Sequence, residues 1–250
     1  MRSGLLTAGI LLIPALAMAQ SVDEIVARHI AARGGIDKLT AIQTLKITRT
    51  VATGIGNNVR VIMYKKRPNL YRAEQGPTTP GAPMTPRGVN ADDAWDTAPG
   101  GKITLRAEAA EAEARDLEGD FDGLLVNWKE KGHAVTFEGR ASMPDGEALK
   151  LRVRTKSGAE RIIYLDATTY LDRRHTGVLT LPNGRRDVVT DFSNWQDVNG
   201  VKFPFDINED RTGGNAPEQS LVIYTEKIEA NVPMDETLFA TPKGTGPPGR

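Results

Sequence analysis

The chain has 250 residues, 39% of them hydrophobic and 26% charged, which is enough for one sizeable core of ordinary globular composition. Lys plus Arg and Asp plus Glu both number 32, a balance that excludes the strong uniform field suited to nucleic acid or an anionic membrane. With no Cys at all, disulfides, a Cys nucleophile, Cys-bound metal and a cysteine lipid anchor are excluded too.

In chain order, Arg2, an apolar run from Leu5 to Leu16 and Ala17-Met18-Ala19 read as a cleavable export signal, so a soluble protein of the periplasm is expected. Ser21 and Glu24 form a capping box for a helix whose face carries Val22, Ile25, Val26 and Ile30. Gly34-Gly35 stops that helix, and His29 is expected at the edge of its packed face. A second short helix covers 36–41.

From Gln43 the hydrophobic period changes to two. Leu45, Ile47 and Val51, then Val59, Val61 and Met63, predict paired antiparallel strands. The basic corner Lys65-Lys66-Arg67-Pro68-Asn69-Leu70-Tyr71 closes the pair, since Pro68 fixes its own φ and biases Arg67 toward an extended backbone. One permanent cation thus stands at the rim of whatever the strands enclose. Pro77, Pro80, Pro83 and Pro86 recur every third residue, which predicts an extended surface loop and argues against a central strand.

Trp95 lies in the strand that follows. Residues 105–118 predict an Ala- and Glu-rich helix, and Phe121, Leu124, Leu125 and Trp128 a second, more apolar one. The rest alternates as strand, with Asp145-Gly146, Ser157-Gly158, Asn183-Gly184 and Asn199-Gly200 as turns. Residues 20–240 are expected to form one domain and 241–250 a disordered tail. The fold class predicted is α+β, an incomplete antiparallel β-barrel of about 10–11 strands under a helical lid.

Sequence motifs for chemistry are missing. The chain has no G-x-S-x-G, H-E-x-x-H, Walker or Rossmann signature, and its His residues, at 29, 133 and 175, are far apart. Asp206, Asn208 and Asp210 open a calcium-loop spacing that Arg211 and Pro217 break. No catalytic residue, metal or cofactor is expected. Arg173-Arg174 and Arg185-Arg186 form either a basic patch for a partner or ordinary edge-strand charge.

Lys66-Arg67-Pro68-Asn69-Leu70 after a strand, then Asp93-Ala94-Trp95 after a loop, resemble segments of the periplasmic lipoprotein carriers of the LolA/LolB type. The stretches EIVARHIAARGGIDKL, DFDGLLVNWKEKGH, TYLDRR and VNGVKFPF are similar to segments of outer-membrane lipoprotein-sorting proteins in the same order. Asp93-Ala94-Trp95 departs from the family pattern, lacking a Gly and shortening the spacing to Trp.

The resemblance implies a non-enzymatic carrier whose apolar interior receives lipoprotein acyl chains or another lipid, and a monomer is expected. Its partners would be inner- and outer-membrane transfer proteins, and Arg67 would latch the lid. Arg67→Leu is then expected to leave folding nearly intact while changing lipid uptake or release. The strand faces nominate Leu45, Ile47, Val61 and Met63 as lining, together with Val135, Phe137, Leu149 and Leu151, then Phe203 and Phe205, and also Trp95. The alternative is a binding or scaffolding module with a filled core, acting through the Pro-rich loop or the basic patch.

Overall fold

The structure, a computed structural model, describes residues 20–54, 56, 58–181, 184–214 and 217–243. The export signal at 1–19, most of the tail and Asn183 lie outside them. Among the described residues no helix is long and apolar enough to cross a membrane.

The chain opens with α1 (Val22–Ala32) and α2 (Ile36–Ala41). The capping box is present, with the Glu24 N–H donating to Ser21 Oγ at 3.2 Å and the Ser21 N–H donating to Glu24 Oε2 at 3.0 Å. Then come β1 (Thr44–Ala52), β2 (Asn58–Lys66), β3 (Leu70–Pro77), β4 (Thr85–Val89), β5 (Ala94–Thr97) and β6 (Ile103–Leu105). Helix α3 (Glu108–Leu117) separates these from β7 (Ala134–Met143), β8 (Gly146–Arg154), β9 (Glu160–Asp166) and β10 (Asp172–Leu181). The last strands are β11 (Gly184–Val198), β12 (Val201–Thr212) and β13 (Gln219–Ala230), and a 3-10 turn at Glu236–Phe239 follows them.

Among the described residues, thirteen strands join one antiparallel sheet in the order β6-β5-β4-β3-β2-β1-β13-β12-β11-β10-β9-β8-β7. It is curled and unclosed, with β6 and β7 at its two edges, an α+β incomplete barrel. The alternating side chains give it one face for the helices. Leu45, Lys65, Tyr71, Val89 and Ala94 stand opposite one another along that inner face, and Ile47, Met63 and Ala73 form the next row.

Three buried clusters lie on it. Ile25 and Val26 of α1, with Leu125, cover Leu149, Leu151, Val153, Ile163 and Leu165. Leu39 of α2, with Phe121 and Val126, covers Leu45, Ile47, Val201 and Ile228. Ala114 of α3 rests on Tyr71, Ala73, Val89 and Ala94.

Several expectations need correction. Residues 121–132 are turns and not a helix: Gly123 (φ 93°) and Asn127 (φ 51°) adopt left-handed conformations that interrupt the helical spacing of Phe121, Leu124, Leu125 and Trp128. The Pro-rich stretch is strand at both ends, and Pro86 lies in β4, between β3 and β5. That is tolerated because β5 pairs only Gly88 and Val89 of β4, so the N–H that proline lacks falls beyond the ladder.

Strands β10 and β11 are interior strands, so their arginines are not edge charge. Three of the four are engaged, while Arg185 is exposed. Arg174 is paired to Asp191 at 2.6 Å, Arg173 to Asp145 and Asp166, and buried Arg186 donates to the carbonyls of Arg211 and Pro217. Thr241 is tied down by Asn90 and Asp93.

Candidate functional site

Between the helices, the inner face of the sheet is filled by the segment between α3 and β7, residues 118–133. Its Phe121, Leu125 and Val126 are buried among side chains of both halves of the sheet, so this segment acts as a plug. Burying three large side chains favours the plugged state by several kcal/mol, at ~1.5–3 kcal/mol each.

Cations from the surrounding elements hold the plug at its acidic start. Arg67, at the β2–β3 corner, donates from Nη1 to Asp122 Oδ2 at 2.7 Å and from Nη2 to Asp122 Oδ1 at 2.6 Å. The same guanidinium donates to the carbonyl of Ile42 from Nε (2.8 Å) and to that of Leu39 from Nη2 (2.9 Å), which ties in the end of α2. It also sits over the Phe121 ring, 4.3 Å from the centroid. The corner contains a cis Arg67–Pro68 bond. A planar fork with several donors suits such a junction, where one side chain meets a carboxylate, two carbonyls and an aromatic face.

Arg33, the C-cap of α1, donates to the Asp122 carbonyl at 2.7 Å, and burial lowers its pKa. Lys65, on the inner face of β2, donates to the Asp120 carbonyl at 2.6 Å. Burial pulls the Lys65 pKa down to about 8, with Asp120 opposing, so it is still charged at neutral pH. Lys131 reaches back to Asp120 Oδ1 at 2.6 Å.

Helix α3 and the Glu118 that follows it link the β4–β6 end of the sheet to β9 and the β8–β9 turn. On one side, Arg115 donates to the Asn90 carbonyl, and Glu118 accepts from Arg106 at 2.5 Å and Arg87 at 3.1 Å. On the other, Glu113 faces Arg161 of β9 at 3.3 Å, and Asp116 accepts from the Ser157 N–H at 2.7 Å. Ala114 is the only residue of α3 that is fully buried, so this strap is held mainly by polar contacts.

A separate buried cluster ties α1 to β10. His29 is 2% exposed, not at the edge of the packed face, and its Nδ1 donates to the Tyr170 carbonyl at 2.9 Å. Asp172 lies 3.8 Å from His29 and 2.8 Å from His175. Burial alone would raise the Asp172 pKa, but His29, His175 and Arg33 together hold it well below the usual carboxylate range.

The nominated lining residues separate into groups. Leu45, Ile47 and Met63, with Phe203 and Phe205, pack under α2 and the plug. Leu149, Leu151, Val135 and Phe137 pack under α1 and Leu125. Val61 stands opposite Arg49 on the same inner face, outside the buried clusters.

Trp95 does not join them. It is opposite Gly88, which is opposite Arg72, which is opposite Tyr64, and that row occupies the outer face. There it is 0% exposed, with the Arg72 guanidinium 5.8 Å from its ring.

The sequence alone assigned no role to Arg33, Asp120, Asp122 or Lys131, and gave Lys65 only a place in the basic corner. The alternation of Asp116, Glu118, Asp120 and Asp122 marked the place, but it equally suits the end of a helix.

No protein-family model matches the sequence, and a search of curated proteins finds no match either. The fold is that of solved structures. A LolA superfamily protein from Nitrosomonas europaea aligns with a TM-score of 0.58 at 10% identity, over 89% of this chain and 99% of its own. A DUF1329 family protein from Desulfovibrio piger aligns with a TM-score of 0.58 at 13% identity, over 88% and 97%. An outer membrane lipoprotein-sorting protein domain from Vibrio parahaemolyticus gives 0.54 at 12% identity, over 88% and 97%. The likeness covers nearly the whole of each neighbour, and the shared fold is LolA-like.

Proposed function

We propose that this protein is a periplasmic carrier that takes up lipoprotein acyl chains, or another lipid, by exchanging them for its plug, and moves them toward the outer membrane. The observation that carries this reading is that the apolar filling of the sheet, Phe121, Leu125 and Val126, sits on a turn-rich segment fastened by ionic and polar contacts. A filling of that kind is removable. Each CH₂ of an acyl chain contributes ~0.8 kcal/mol on burial, so a chain of ordinary length can replace the contacts of three side chains.

Arg67 is the latch in this reading. Its contacts join the β2–β3 corner, the end of α2 and the plug, so their loss frees two parts of the cover together. The inner residues Leu45, Ile47, Met63, Leu149, Leu151 and Phe203 are then the surface that meets the acyl chain. The lipoprotein-sorting neighbour supports the assignment by its fold. The cycle needs no chemical reaction, only transfer partners at the two membranes.

Native mass spectrometry of gently purified protein, with titration of a fluorescent fatty acid, tests the proposal. Reproducible co-purified lipid and saturable probe binding are expected, and a lipid-free protein that ignores the probe would refute it.

A further inference from the structure

A cleft of about 610 Å³ opens beside the plug, between the strap α3, residues 118–133 and the β8–β9 turn. Two buried polar atoms of its lining residues have no protein partner: Asp120 Oδ2 and His133 Nε2. Their residues are only 7% and 6% exposed. The other ring nitrogen of His133, Nδ1, accepts from the Lys156 N–H at 3.1 Å. The proton of the neutral ring is therefore on Nε2, which makes that atom a donor. Burial lowers the His133 pKa and keeps the ring neutral at pH 7.

The remaining charges of the cleft divide into engaged and free. Lys131 is engaged by Asp120 Oδ1, Arg115 by Glu111, and Asp116 by the Ser157 N–H. Among the described residues, the Lys156 ammonium and the Glu130 carboxylate, both exposed, have no partner. The uncommitted groups are thus two donors, His133 Nε2 and Lys156, and two acceptors, Asp120 Oδ2 and Glu130. A pure anion would leave both acceptors unanswered, and a pure cation both donors. Only a ligand carrying both charges answers all of them.

We infer that the cleft binds a zwitterion of the phosphoethanolamine class, its phosphate on His133 Nε2–H and Lys156 and its ammonium on Asp120 and Glu130. The choice of phosphate and primary ammonium rests on the carrier reading: Asp120 directly precedes Phe121 of the plug, so a polar group in this cleft lies where a lipid tail would enter. The same chemistry is found in a lipid headgroup and in free phosphoethanolamine.

Isothermal titration of the full chain with phosphoethanolamine, inorganic phosphate and ethanolamine tests it. Phosphoethanolamine is expected to bind at least tenfold more tightly than either half. Glu130→Gln and Lys156→Met, both at exposed positions, are each expected to weaken it about tenfold, the loss of one charge-assisted contact.

Phosphatidylethanolamine vesicles that compete with the soluble zwitterion, where phosphatidylglycerol vesicles do not, identify the source as a lipid. Equal indifference to both vesicles identifies the free compound. Equal binding of phosphate alone, or no effect of either substitution, overturns the inference. If the fatty-acid probe binds while phosphoethanolamine does not, the inference fails and the carrier reading survives; the converse retains the cleft and removes the carrier.

Discussion

Arg67 and Asp122, 55 positions apart in sequence, meet in a two-point contact, each guanidinium Nη facing one carboxylate oxygen at 2.6–2.7 Å. Their side chains are 21% and 9% exposed, so Arg67→Leu strands a nearly buried carboxylate. The expectation of near-intact folding therefore needs revising. Breaking a fully buried pair costs ~3–5 kcal/mol, and with Arg67 partly screened we expect ~2–4 kcal/mol in denaturant unfolding.

The variant that isolates the latch removes both charges. Arg67→Leu with Asp122→Leu leaves no unpaired carboxylate, so stability should recover to within ~1–2 kcal/mol of the parent. Exchange of a bound fluorescent fatty acid should accelerate about tenfold, read by stopped flow. An unchanged exchange rate would remove Arg67 from the latch role.

At the strap, Arg161 is 8% exposed and faces Glu113, with the Glu160 carbonyl as its other acceptor. Glu113→Gln takes away the only carboxylate paired with that guanidinium among the described residues. A loss of ~1–3 kcal/mol is expected. Amide exchange should speed up in α3 and residues 118–133 well before β1 or β13 responds, as hydrogen-exchange mass spectrometry would show.

Acid should loosen α1. Burial lowers the His29 pKa below 6.5 against the pull of Asp172, so the unfolded chain takes up a proton that the folded chain resists. Stability from this group is complete above pH 6.5 and falls as pH drops through and below that value. The melting temperature should therefore fall on acidification from about pH 7.5 to about pH 5. His29→Gln should be less stable at neutral pH but flatter across that range. The remaining slope belongs to His133, whose pKa burial lowers in the same direction, and near pH 7.5 to Lys65, pulled down to about 8.

Gly88 has no side chain because Trp95 occupies the space: a Cβ there would lie 2.8 Å from Trp95 Cζ2. Gly88→Ala should cost ~1–3 kcal/mol through displacement of the ring, visible as a shift in intrinsic fluorescence.

That contact also shows which parts of the fold could be read in advance. Long alternating runs such as Leu45 to Val51 identified both the strand and its inner face, because a period of two leaves no other assignment for so many residues. Strands β4 and β6, of 5 and 3 residues, are too short for alternation to appear. Trp95 was placed by its motif and not by pairing, and only the chain of partners through Gly88 and Arg72 fixes its face.

Phe121 to Trp128 has helical spacing, but the left-handed backbone at Gly123 and Asn127 turns the same residues into a plug. Arg67 announced itself through Pro68. Its partner could not, since a carboxylate more than fifty residues away has no local signature.

The first strand of the sheet lies beside the last. Leu45 is opposite Ala230 and Thr50 opposite Tyr224, so the two halves of the molecule are sewn together by pairs at the extremes of sequence separation. Until β13 has been made, β1 keeps one bare edge and the inner face is incomplete. Loop-closure entropy must be overcome for that seam before it contributes anything, whereas every other pairing of the sheet joins strands adjacent in sequence, so the β1–β13 ladder is the last to become favourable. A polypeptide arranged this way spends its early life with an open hydrophobic strand edge, and so depends on being kept from its neighbours until the C-terminal strand arrives.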